Sequence, residues 1–304
     1  MDAISLDVHA HLLPARVGVD GRVVGMASLF DPGALLRWMD AQRIARAWIS
    51  VPPPAYRPHL AEADALHWAH DLNDGLREMA LESGARLQAL LHLPLEHPHA
   101  ALAVLASRGR GDAAVAGYAA STTVPEGTLA DATLDPVWAA LDAQRAFLFL
   151  HPGECTDPRL GRFYLQNLLG NPHETAVAAG ALVFGGVLER YAAMQVCLAH
   201  GGGTVPAVAG RWQRGFDTAR PGVNPSLEAP RAALQRLWVD CITHDAAALQ
   251  CACATFGEHR MLFGSDWPFP MGLPEPKEPC AALPDPTRHR IFSENVRALL
   301  DLVT

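Results

Sequence analysis

Hydrophobic positions in this chain come in short, nearly continuous runs, and longer amphipathic stretches separate them. The runs lie at 4–11, 45–51, 86–93, 114–120, 146–151, 195–200, 237–242 and 261–266. Most lack the alternation of a half-exposed strand. Unbroken apolar runs of this length are what strands covered on both faces of a parallel sheet look like. Between them the pattern predicts helices at 31–43, 59–83, 98–107, 134–143, 172–191, 205–215, 245–256 and 286–302. Asp31 followed by Pro32 reads as a cap and a first helical residue. Ala65, Trp68, Leu72 and Leu76 share one face of the second helix.

Eight strands alternating with eight helices require crossover connections and a parallel sheet. Over this length they predict an α/β fold, a closed (β/α)8 TIM barrel forming a single domain over residues 1–304. No glycine-rich phosphate fingerprint follows the first strand, which argues against a dinucleotide-binding open sheet. Glycine and proline cluster at 216–230 and 267–286. Both segments follow late strands and are read as long loops on the active face.

Composition narrows the function. Half of the 304 residues are hydrophobic and 18% are charged, so a packed core is expected. The formal net charge is -8, and Lys277 is the only lysine. A nucleic-acid or anionic-membrane surface is a poor fit to that balance. The six cysteines form no CxxC pair and no zinc-ribbon spacing. The start MDAISLDVHAHLLP lacks the basic and apolar regions of a secretory signal. No stretch is apolar for long enough to span a bilayer. These features predict a cytoplasmic protein with reduced thiols.

Barrel enzymes draw their catalytic groups from the C-terminal ends of the strands. Here the first run ends in His9-Ala10-His11, the fifth in His151, the sixth in His200 and the eighth in Asp266. His9 and His11 are two apart, so they leave the same face with Cα atoms about 6.6 Å apart. Imidazole and carboxylate together suit zinc and neighbouring transition metals. Three histidines and one aspartate leave a position open for water or a substrate oxygen, so the expected site is catalytic. His200, followed by three glycines, is expected to act as general base or acid on that water.

Each of these residues has a plainer reading. An isolated HxH is weak evidence, and the inference rests on the whole set. Asp266 precedes Pro268 and would also serve as a helix cap. His97 and His99, beside Pro98, read as solvated. His67 and His70 read as an outer-face pair, and His59, His173, His259 and His289 as surface or cap residues. His92 and His244 stand near the ends of strands three and seven, with a pocket role left open. Cys155 reads as an inert thiol close to the site, and Glu154 as a solvated loop carboxylate.

The segments DVHAHLLP, FLHP, GNPHETAVAAGALVFGGVLERY, VCLAHGGGTVPAVAGRWQRGF and MLFGSDWPFPMG together resemble the amidohydrolase superfamily. More narrowly, they resemble its decarboxylase branch around 2-amino-3-carboxymuconate-6-semialdehyde decarboxylase. The resemblance implies a metal-dependent enzyme, usually with zinc, that carries out non-oxidative decarboxylation. His9, His11, His151 and Asp266 match its metal ligands, and His200 its catalytic histidine. Arg211 matches an arginine that crosses into the neighbouring subunit and binds a substrate carboxylate through its planar fork. A homodimer follows from that match.

The chain departs from the pattern in three places. In GRVVGMASLFDP, Gly25 and Met26 follow Val24 where relatives carry a substrate-binding arginine, and Arg22 aligns poorly. Gly153 and Tyr164 stand where relatives have tryptophans. The expected substrate is therefore a different and less charged acid. The leading expectation is a carboxy-lyase for a small unsaturated or aromatic carboxylic acid. The alternative is a metal-dependent hydrolase of a C–C bond, lactone or amide. A barrel that has lost catalysis is the third reading, and the intact ligand set argues against it.

Overall fold

The computed structural model describes residues 3–15, 17, 25–107, 111–125, 127–153, 155–273, 275 and 277–303. Arg22, Val24 and Glu154 lie outside the described residues. The strands are β1 (Asp7–His11), β2 (Ala47–Ser50), β3 (Leu87–His92), β4 (Val115–Ser121), β5 (Phe147–His151), β6 (Gln195–Leu198), β7 (Trp238–Asp240) and β8 (Met261–Leu262). They form one sheet in the order β1 to β8, and each strand runs parallel to its neighbour. The Val8 amide donates to the Phe263 carbonyl at 3.0 Å and the Asp266 amide to the His9 carbonyl at 2.7 Å. Those bonds join the β8 segment back to β1 and close the barrel expected from the alternation.

Helices α1 (Pro32–Gln42), α2 (Glu62–Glu82), α3 (Pro98–Ser107), α4 (Asp135–Ala143), α5 (Asn171–Phe184), α6 (Val205–Asp217), α7 (Ala246–Phe256) and α8 (Asn295–Val303) pack outside it. α1 starts as its sequence predicts: the Asp31 carboxylate accepts from the Ala34 amide at 2.9 Å, with Pro32 at the first position. The helix expected over 172–191 is broken. α5 stops before Gly185 and Gly186, and the chain resumes as a single turn, Val187–Arg190. A Cβ on Gly185 would fall 2.5 Å from the Ala130 Cβ, so the break sits at a close approach between segments.

Side-chain alternation along β5 sorts the core into two layers. Phe147 and Phe149 point into the barrel with Trp48, Leu90 and Trp238. Leu148 and Leu150 pack outward beneath the helices. His151 continues the inward phase, so the strand that fills the barrel also delivers a histidine to its mouth. Val296 and Leu299 of α8 join the inner cluster. The Arg145 side chain, just before β5, reaches the Leu302 carbonyl at 2.9 Å. α8 therefore lies at the N-terminal end, away from the histidines.

Two expectations about boundaries are corrected. The sixth and eighth strands end earlier than the apolar runs suggest, at Leu198 and Leu262. Segment 218–229 does not lie on the active face. It follows α6 and leads through a short helix, Pro230–Leu234, into β7. Its Glu228 amide bonds the Glu189 carboxylate on the turn before β6. It therefore belongs to the opposite, return face, where glycine and proline serve a helix-to-strand turn. The loop after β8 does begin on the active face. Among the described residues no helix is long and apolar enough to cross a membrane.

Gly117 tests how tightly the barrel is drawn. A Cβ there would lie 2.5 Å from the Phe147 carbonyl oxygen on the paired strand. Gly117→Ala should destabilise the chain by about 1–3 kcal/mol. Equilibrium urea unfolding should show it as a lowered midpoint.

Candidate metal centre

β1 presents His9 and His11, the end of β5 presents His151, and a turn four residues past β8 presents Asp266. All four are buried. The Nε2 atoms of His9 and His11 lie 3.1 Å apart. Asp266 Oδ1 is 3.3 Å from the first and 3.2 Å from the second. The His151 ring stands edge-on to both, with centroids 5.0 Å away. One ligand atom from each of the four falls within 4.8 Å of the others. Residues from three places in the chain are brought together, and the grouping matches the sequence expectation.

The outer nitrogens explain the inward ones. His9 Nδ1 donates to Asp240 Oδ2 at 2.7 Å. His11 Nδ1 meets the Ser50 hydroxyl at 3.2 Å, and His151 Nδ1 donates to the Pro152 carbonyl at 2.9 Å. With protons held on Nδ1, the Nε2 lone pairs of His9 and His151 are free to face one point. His151 Nε2 and Asp266 Oδ1 are buried without a hydrogen-bond partner. Leaving such a group unsatisfied costs about 1–3 kcal/mol. A cation at the point they share would satisfy both.

Charge tells the same story. Burial works against a charge on His9, but the Asp266 and Asp240 carboxylates outweigh it and push its pKa up to about 10. Burial, together with the neighbouring histidines, drives His151 well below its ordinary value. Burial lowers His11 too. Asp266 loses solvation yet stays well below the carboxylate range, because His9, His11 and His200 surround it. Two buried carboxylates therefore stand among three histidines, of which only His9 favours the proton and burial holds the other two below their ordinary value. One divalent ion would balance those carboxylates while the imidazoles stay neutral.

His200 lies beyond β6, in a tight turn at His200–Gly202, and not at a strand's last residue as the sequence suggested. Its φ is 56°, and that of Asp266 is 58°. Both are unusual for residues that bear a side chain, and both sit where a strand breaks off to aim a group into the mouth. His200 Nε2 is 3.8 Å from Asp266 Oδ2, its Nδ1 has no partner, and the side chain keeps 19% exposure. It is the more open histidine beside a closed set.

Sequence reasoning missed two buried carboxylates. Asp240 accepts from His9, from the His200 and Ile242 amides at 3.0 Å each, and from the Gly201 amide at 2.9 Å. Its signal was a lone charge inside the run LWVDCI. Asp7 accepts from the Ser265 hydroxyl at 2.5 Å and from the His9 amide at 3.0 Å. Burial lifts its pKa to about 7 against those bonds. It ties β1 to the turn that carries Asp266.

A cavity of about 970 Å³ opens over His151, His200 and Asp266. Its walls include Leu160, Tyr164, Asn167, His244 and Phe269, and no arginine or lysine lines it among the described residues. His244 thus reaches the pocket, whereas His92 is buried outside that lining and stacks on Tyr56. Cys155 lines it as a buried thiol. Gly153 also lines it, and a Cβ there would run into the Ser121 hydroxyl. Arg211, on α6, is exposed and takes no part in lining its own chain's cavity. Of the decoys, His99 is solvated, while His97 bonds the Leu60 carbonyl at 2.8 Å.

Known proteins resemble the chain in sequence and in fold. The chain is 30% identical over 276 residues to 2-amino-3-carboxymuconate-6-semialdehyde decarboxylase of Dictyostelium discoideum, covering 88% of this chain and 76% of that protein. The crystal structure of 5-carboxyvanillate decarboxylase from Sphingomonas paucimobilis superposes with a TM-score of 0.87 at 16% identity, covering 99% of both chains. A dihydroxybenzoic acid decarboxylase from a Polaromonas species, solved with manganese and 2-nitroresorcinol, gives 0.82 at 20% identity, covering 100% of this chain and 98% of that one. The family model described as amidohydrolase matches residues 6–302, and the chain belongs to that family.

Proposed function

We propose that the chain is a metal-dependent, non-oxidative decarboxylase of a small unsaturated or aromatic carboxylic acid. The observation that carries this reading is the convergence of four buried ligand atoms beside a half-open histidine at the floor of a cavity. The decarboxylases among its relatives and structural neighbours support it. His9, His11, His151 and Asp266 would hold a single divalent ion. Three imidazole nitrogens and a carboxylate favour zinc, and the manganese of the Polaromonas neighbour makes that metal the competitor. Held by those four residues, a divalent ion would supply Lewis acidity to a substrate oxygen.

The chain's own residues do the rest. Leu160 and Phe269 pack against the apolar body of the acid, with Tyr164 at the rim. His200 transfers a proton to the carbon that bears the carboxylate. The electron pair of the C–C bond then returns to the organic fragment, and CO₂ departs. Asp240 holds the His200 turn through two amides and so fixes where that proton is delivered. The cavity has no cation of its own among the described residues, which supports a homodimer in which Arg211 of a second copy binds the acid. The six unpaired cysteines suit a reducing compartment, and we place the protein in the cytoplasm.

Three outcomes follow. Elemental analysis of the parent should find about one equivalent of zinc or manganese per chain, and His9→Ala and Asp266→Ala should lose it. No metal in the parent, even after reconstitution, would overturn the mechanism. His200→Ala should keep the metal and lose about 10²–10⁴-fold in turnover, measured as CO₂ release; hydrolysis of the same substrates without CO₂ would decide for a hydrolase. Arg211→Ala and His200→Ala chains, each inactive alone, should regain about a quarter of parent activity when mixed and reassociated, because a mixed dimer has one intact site. No recovery would place Arg211 outside the partner's site.

A further inference from the structure

Among the described residues seven large hydrophobic side chains are exposed, and five of them fall between positions 163 and 177: Phe163, Tyr164, Leu168, Leu169 and Val177. Exposed apolar residues scattered singly need no explanation, but a cluster does. The five form a continuous strip. The Leu168 amide donates to the Tyr164 carbonyl at 3.0 Å, which sets those two one turn apart. A π-helical turn, Gln166–Gly170, then runs straight into α5. Leu169, His173 and Val177 follow at intervals of four, the spacing of one helix face, and all three are exposed.

The strip is built to stay open. Phe163 and Tyr164 both have φ of 59°, the only adjacent pair of side-chain-bearing residues in the left-handed region among the described residues. Such backbone costs about 1–3 kcal/mol per residue and persists where it serves a site. Here it holds two rings in solvent, with Phe163 76% and Tyr164 65% exposed. Side chains of this size present roughly 150–250 Å² each when fully open, so the strip leaves on the order of 500 Å² of apolar surface. A stable interface takes about 800 Å² from each partner, about 65% of it apolar in homodimers. The strip supplies that apolar share. It is also close to neutral, because Arg159 pairs with Asp157 at 2.9 Å and Arg162, over the Phe163 ring, offsets Glu174. On a chain with a net charge of -8, two copies repel least there, and an anionic membrane finds no lysine in it.

We infer that the strip is the face on which a second copy of the chain seats, with the two strips antiparallel about a two-fold axis. The inference rests on the homodimer reading above and names its surface. In a two-fold contact one patch meets itself. One end of the strip is the cavity rim, where Tyr164 and Leu168 line the pocket. The other end is Val177, six residues into α5. α6 packs beside α5, with Trp212 against Phe184 at a centroid distance of 5.6 Å. Arg211 precedes Trp212, six residues into α6, and is exposed. It therefore stands level with the far end of the strip. Antiparallel pairing lays the far end of each copy over the rim of the other. Arg211 is thereby carried toward a mouth whose own described lining holds no arginine or lysine.

Sedimentation equilibrium of the zinc-reconstituted full chain reads this contact without any substrate. The parent should sediment at twice the chain mass. Phe163→Asp combined with Leu169→Asp should raise the dimer dissociation constant at least about 100-fold. Leu81→Asp, at an exposed leucine outside the strip, should leave it unchanged. Circular dichroism melts report that the variants are folded. A second probe keeps the strip largely intact: Leu169→Cys, in a Cys251→Ser background that removes the exposed native thiol, should be linked to its own copy by a short bismaleimide, and Leu81→Cys should not. A monomeric parent overturns the inference, and flotation of that monomer with phosphatidylcholine vesicles would assign the strip to a lipid surface. A dimer that the aspartates leave intact, and that links no better at 169 than at 81, overturns it too. Recovery of activity on mixing Arg211→Ala and His200→Ala chains is scored separately. A strip-dependent dimer without recovery keeps the interface and sinks the role of Arg211, and recovery in a dimer indifferent to the strip does the reverse.

Discussion

The Asp240 carboxylate accepts four hydrogen bonds in the barrel interior, and the site is arranged around it. One oxygen takes His9 Nδ1 and the His200 amide, and the other takes the Gly201 and Ile242 amides. The first bond fixes which nitrogen of His9 faces the ligand cluster. The amide bonds fix the turn that aims His200. A neutral amide could not replace this carboxylate, because one of its ends would present N–H to N–H. His9 and the turn that carries His200 are thus fixed to the same rigid group, which is how their relative position survives on so short a strand as β7.

That arrangement is expensive without a cation. Two buried carboxylates, Asp240 and Asp266, lie among three histidines, two of which burial keeps from charging. Interiors resist isolated charge, and a cation at the point where the ligand atoms meet would offset it. The same imbalance makes the fold and the chemistry interdependent. The bonds from the Ser265 hydroxyl to Asp7 and from the Asp266 amide to the His9 carbonyl close the barrel beside the candidate ligand cluster.

The walls of the cavity are set farther out, where Gly153 stands against the Ser121 hydroxyl and Tyr164 is open at the rim. The candidate ligand set and those walls come from different segments of the fold, so one can change without the other.

Much of this was legible in the sequence. Eight apolar runs alternating with amphipathic stretches specify the barrel, because burial on both faces and a parallel crossover leave few other arrangements. HxH, two further histidines and an aspartate at the ends of those runs specify the ligand candidates, since the strand ends of a barrel converge on one mouth. Periodicity, however, reports burial and not backbone direction. It could not show that β6 and β8 stop short, that His200 and Asp266 enter through left-handed turns, or that segment 218–229 returns on the far face. Nor could it single out Asp7 and Asp240, whose partners lie 258 and 231 residues away. A lone polar residue in an apolar run has no meaning until the barrel closes, because only closure brings strands from opposite ends of the chain within hydrogen-bonding distance.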